Sequence, residues 1–168
     1  MNFLAVDPGT RACGVALFQN DALVAAGLVK NPVAKGDDAF ALAAMATAVA
    51  AWASMQGVGW SETVVERMQS YSAQHQKGDQ NDLISLSLLA GMMRPTWLVL
   101  PSQWKGQVPK PKTKKETYIV EARVRARLLP SELAVIPENT GPAWDVIDAI
   151  GIGLYHCHRF NRTRVIAR

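Results

Sequence analysis

The chain has 168 residues, 49% of them apolar and 19% charged, which fits one domain with a normal core and excludes a disordered or low-complexity polypeptide. No apolar run reaches the roughly 18–20 residues that cross a bilayer, and the start lacks the basic and apolar regions of a signal peptide. The net charge of +4 is uneven: residues 1–100 carry six Lys/Arg against eight Asp/Glu and residues 101–168 twelve against six, and a basic half points to a polyanionic partner.

Phe3 to Val6 reads as a short buried strand ending at Asp7, and Pro8-Gly9-Thr10 as a turn. Gly14 to Phe18 and Leu23 to Val29 follow as strands, parted by Gln19-Asn20-Asp21; such close turns predict an antiparallel meander. Asp37 and Asp38 open a long helix that runs to Met55 and stops at Gly57 and Gly59. Glu62 to Glu66 is a fourth strand, and residues 67–80 read as a polar loop. A helix over 81–93 shows Leu83, Leu86, Leu89 and Ala90 on one face. Thr96 to Leu100 is a fifth strand, and the three prolines of 101–112 predict irregular chain. Helices follow over 114–128 and 143–158. The order predicts an α/β domain over 1–160: a mixed five-stranded sheet, three antiparallel strands then parallel ones, with helices on both faces. Residues 161–168 form a basic tail. Cys13 and Cys157 are expected to be free thiols inside a cell, and Trp52, Trp60 and Trp97 to lie in the core.

Four carboxylates stand out by position. Asp7 and Glu66 end predicted strands, where side chains leave the core for a cleft. Asp145 and Asp148, spaced i, i+3, share one face of an apolar helix. Acids packed this closely repel one another unless a cation neutralises them, and hard divalent ions such as Mg²⁺ or Mn²⁺ prefer oxygen ligands. Two such ions about 4 Å apart clamp a scissile phosphate, activate water and stabilise the leaving oxygen. The pattern therefore predicts metal-dependent hydrolysis of a nucleic-acid backbone, with Asp7, Glu66, Asp145 and Asp148 as ligands. Asp145 suits a water-orienting role equally well.

Lys105, Lys110, Lys112, Lys114 and Lys115 run without an acid until Glu116. Interleaved prolines keep the strip extended, and it suits a phosphate backbone. Trp104 is expected to pack under Lys105 and aim it.

Leu4-Ala5-Val6-Asp7-Pro8-Gly9-Thr10-Arg11 with Gly14, Val64-Val65-Glu66, and the helix from Asp145 to His158 together resemble the RuvC family of Holliday-junction resolvases. The resemblance implies a ribonuclease-H-like fold and a structure-specific endonuclease that resolves four-way junctions with Mg²⁺ or Mn²⁺, two ions per site. It implies Asp7, Glu66, Asp145 and Asp148 as the catalytic acids, and Lys105 with Lys114 or Lys115 as lysines that contact phosphate. Arg11, Met68, Gln69, Tyr71, Lys110 and Lys112 are the implied DNA contacts. Where bacterial members often carry an aromatic wedge, three residues after the glutamate, this chain has Gln69, with Met68 and Tyr71 nearby. The family works as a homodimer, and the leucine content of the helix at 81–93, more than one core face needs, makes it the expected interface; with no export signal the protein is expected in the cytoplasm, bacterial or phage-encoded. A related nuclease for other branched DNA or RNA–DNA hybrid, and a DNA-binding module without catalysis, are the alternatives. Actin-like and sugar-kinase folds, which also open with Asp-x-Gly-Thr, need a second lobe that 168 residues do not hold.

Overall fold

The computed structural model describes residues 1–33, 38–68, 80–106, 108, 117–137 and 144–160, except the side chains of Gln80 and Asn81. Five strands form one sheet: β1 (Asn2–Asp7), β2 (Ala12–Gln19), β3 (Ala22–Lys30), β4 (Glu62–Glu66) and β5 (Trp97–Val99), in the order β3-β2-β1-β4-β5. β1–β2 and β2–β3 pair antiparallel, while β1–β4 and β4–β5 pair parallel. The predicted mixed sheet is thus the observed one. Asn20 and Asp21 make the β2–β3 turn in the left-handed region, with φ of 50° and 64°, which Asn and Asp tolerate best after glycine.

Side chains alternate across the sheet and feed two cores. Leu4, Val6, Val15, Leu17 and Val65 face α1 (Ala39–Met55) and α2 (Gln80–Met92). Phe3, Ala5, Ala16, Phe18 and Val64 face α6 (Trp144–His156), with α4 (Ile119–Arg125) in the same core. α1 begins where the acids predict: the Asp38 carboxylate accepts from Ala41 N at 2.8 Å, as an N-cap should. α6 is buried from Val146 through Leu154, so its polar members face protein rather than water.

Four expectations need correction. The proline-rich stretch holds a short helix, α3 (Pro101–Trp104), because proline at a helix's first position loses no hydrogen bond and the Gln103 side chain accepts from Leu100 N at 2.7 Å. Of the helix predicted over 114–128, residues 114–116 lie outside the described residues, Thr117 and Tyr118 are not helical, and the helix observed is Ile119–Arg125 with Tyr118 extended as its cap. A one-turn helix, α5 (Pro130–Leu133), was not foreseen. Trp97 is 57% exposed rather than core, because β5 is a three-residue strand at the edge of the sheet. Trp52 and Trp60 are half-buried against the α1–α2 core, and both cysteines are free, Cys13 buried and Cys157 half-buried. Among the described residues, no helix is long and apolar enough to cross a membrane.

Candidate active site

β1 is the central strand, and its last residue is Asp7. The parallel register pairs Val6 with Val65, so one step on Asp7 comes beside Glu66 at the same end of the sheet. Alternation turns both toward the face that α6 covers, the face of Ala5 and Val64. α6 brings Asp148, fully buried, down onto that pair. Oxygens of Asp7, Glu66 and Asp148 lie within 4.8 Å of one another, and all three residues are buried. β2 makes the approach of α6 possible: Gly14 pairs with Asp7 in the β1–β2 register, and a Cβ there would overlap the Asp145 carbonyl. Asp145 is half-buried on the first turn of α6, and its oxygens are not in the converging group.

Lys105, at the end of α3, reaches into the nest. Its ammonium donates to Asp148 Oδ2 at 2.6 Å and lies 3.1 Å from Glu66 Oε1. Its hydrogen bond to Glu66 goes to Oε2 instead, at 3.5 Å; the Oε1 contact is an ion pair whose angle makes no hydrogen bond, leaving Oε1 a buried oxygen without one. Burial by itself would push this ammonium's pKa down, but Glu66, Asp148 and Asp7 together hold it above the ordinary lysine value. As expected, Trp104 packs under the lysine: its ring centre is 4.9 Å from Nζ, and the indole is buried.

Sequence reasoning missed Tyr118. Its buried hydroxyl donates to Asp148 Oδ1 at 2.6 Å, while Lys105 takes Oδ2, so the carboxylate is held from both sides. The only signal was an aromatic next to a basic strip, and Tyr118 was placed inside a helix. Cys13 lies close by, exchanging weak 3.4 Å hydrogen bonds with Gly9 N and O. Burial pushes its thiol up to about 12, with Asp7 and Asp145 adding to the effect, so it stays a neutral thiol near the acids.

The donor set fits a hard divalent cation. Three buried carboxylates converge, one of their oxygens has no hydrogen bond, and the ligands are all oxygen. Among the other residues singled out from sequence, Arg11 is exposed and Met68 half-buried just beyond Glu66. Gln69, Tyr71, Lys110, Lys112, Lys114 and Lys115 lie outside the described residues, as does the tail 161–168.

The sequence matches no protein-family model and no curated protein. Solved structures do match. RuvC from T. thermophilus in complex with a Holliday junction substrate aligns at TM-score 0.57 and 13% identity, over 94% of this chain and 92% of that one. A further structure of Thermus thermophilus RuvC aligns at TM-score 0.52 and 16% identity, over 96% and 99%. The fold is that of RuvC. The likeness to RuvC covers nearly all of both chains, so the sheet and its covering helices belong to one shared architecture. A ROK hexokinase from Thermus thermophilus also aligns, at TM-score 0.42 and 14% identity, over 79% of this chain and 40% of that one.

Proposed function

We propose that this chain is a metal-dependent endonuclease of the RuvC type that cuts four-way DNA junctions, working inside the cell as a homodimer. The observation that carries the reading is the buried convergence of Asp7, Glu66 and Asp148 at the strand ends of a RuvC-like sheet. A scaffold gains nothing from three acids in one place, because each buried charge costs free energy unless it is neutralised.

Asp7, Glu66 and Asp148 would hold Mg²⁺ or Mn²⁺, with two ions per site and Asp145 as a further ligand or as the group that orients water. A divalent ion bound there supplies Lewis acidity and a water of lowered pKa. The chain's own residues do the rest. Tyr118 and the α6 backbone fix the direction of Asp148. The strand ends set Asp7 and Glu66 in register, so the ligands are organised before metal arrives. Lys105 supplies a positive charge at the place where a scissile phosphate would come. Arg11, Met68, Gln69, Tyr71, Lys110, Lys112, Lys114 and Lys115 are the proposed contacts to DNA around it.

Two active sites are needed for paired cuts. α2 carries Ile84 at 67% exposure and Leu88 at 47%, more apolar surface than its own core uses, and this face is the proposed dimer contact.

The test sets the purified protein against a synthetic four-way junction, a linear duplex of the same sequence and an RNA–DNA hybrid, with Mg²⁺ or with EDTA. Paired, symmetric, Mg²⁺-dependent nicks in the junction alone are expected. Equal cutting of all three substrates, or cutting in EDTA, would contradict the reading.

A further inference from the structure

The nest already contains a cation of its own. The Lys105 side chain is only 10% exposed, and its ammonium sits 2.6 Å from Asp148 and 3.1 Å from Glu66. Asp7 acts on the same ammonium electrostatically, so all three candidate metal ligands face one lysine. Mg²⁺ bonds oxygen at about 2.1 Å, so the oxygens it links lie at most about 4.2 Å apart. Here the three carboxylates converge to within 4.8 Å of one another, with the ammonium already seated against two of them. An ion drawing these oxygens together takes the space the ammonium fills, and two positive centres at that range repel strongly.

We propose, on the reading of this nest as a metal site, that Lys105 and the first divalent ion are alternative occupants of it. The metal-free protein is held together by its own lysine. Metal entry expels the ammonium to the rim of the cleft, so a mobile cation is presented to a backbone phosphate only once the site is loaded. The means of exchange are present. Lysine carries its charge on a flexible four-carbon stem. Gly106 follows it with φ of 74°, a backbone state that favours glycine, so the pivot beside the lysine is unencumbered by a side chain. The Trp104 face offers the displaced stem an apolar and electron-rich surface.

The test is metal binding in the absence of DNA, which separates it from the junction assay: a protein that exchanges lysine for metal but cuts no junction keeps this proposal and loses the nuclease reading. Lys105→Met keeps the length of the stem and removes the charge. Calorimetric titration with Mn²⁺ is expected to show binding at least about tenfold tighter in Lys105→Met than in the unaltered protein. Without metal the variant is expected to melt at lower temperature, and saturating Mn²⁺ to close that gap. Equal or weaker Mn²⁺ binding by the variant, or none by either protein, would overturn the proposal. Should the variant not fold, ¹⁵N-lysine spectra of the unaltered protein decide. The Lys105 ammonium is expected to give a protected signal without metal that is lost or moved at saturating Mg²⁺. A signal unchanged through a calorimetrically verified Mg²⁺ titration would overturn the proposal equally.

Discussion

Beside the start of β3, Glu132 is buried against Arg159; at the strand ends of β1 and β4, three buried carboxylates share Lys105. The first cluster is complete. Glu132 Oε1 accepts from Leu23 N at 2.8 Å and Arg159 Nη1 at 2.6 Å, and Oε2 from Leu129 N at 2.7 Å and Arg159 Nη2 at 2.6 Å. The guanidinium in turn donates to the carbonyls of Asp21 and Arg127. One charge meets one charge in a bidentate pair, and four backbone groups tie α5, the β2–β3 turn and the end of α4 to the segment after α6. The second cluster is built differently. Asp7, Glu66 and Asp148 converge on one another around the Lys105 ammonium, and Oε1 of Glu66 has no hydrogen bond. A bidentate pair tied to backbone groups marks the first as scaffold, and three converging buried carboxylates fit the second to a cation.

Substitution within the second cluster gives the largest expected effect. Asp7→Asn or Glu66→Gln should lower junction cutting by on the order of 10²–10³-fold, the usual consequence of removing one preorganised electrostatic group. The same changes should raise the melting temperature in EDTA, because they relieve like-charge repulsion in a buried nest. Initial rates and thermal melts measured on the same samples check both. Cutting at the unaltered rate would break the comparison at its functional end.

Glu132→Ala should do the reverse. Breaking a buried pair by removing one partner costs about 3–5 kcal/mol, read by urea denaturation, with specific activity of the folded fraction retained. Acid titration sharpens the point. Burial alone would raise the Glu132 pKa, but Arg159 and the N–H groups of Leu129 and Leu23 bring it from the 4.5 of an unperturbed glutamate down to about 2. A carboxyl whose pKa is depressed by folding stabilises the fold fully above its unfolded value and loses that contribution as pH falls through its folded value. Stability on the order of 3 kcal/mol should therefore fade between about pH 4.5 and pH 2. In Glu132→Gln that part of the acid dependence should be missing, which denaturation curves across the interval would reveal.

Much of the second cluster was legible in the sequence, and almost none of the first. Asp7 and Glu66 end runs of β-branched and apolar residues, and strand alternation is strict enough to place them on one face. Asp148 stands out because an acid in the middle of Val-Ile-Asp-Ala-Ile cannot point to water. Glu132 and Arg159 lie 27 residues apart with no local pattern joining them, so only the fold brings them together. Lys105 was singled out as a basic residue beside an aromatic, but its seat among the acids depends on α3, which three prolines concealed. Trp97 misled because composition makes a tryptophan core, while topology puts it on an edge. Tyr118 was hidden because the predicted helix took it in, whereas the chain there is still extended.

The most direct measurement is the anomalous scattering of a crystal grown with Mn²⁺. The expected result is a Mn²⁺ peak bonded at about 2.1 Å to oxygens of Asp7, Glu66 and Asp148. A difference map at saturating Mn²⁺ with no peak among those three carboxylates would contradict the assignment of the site.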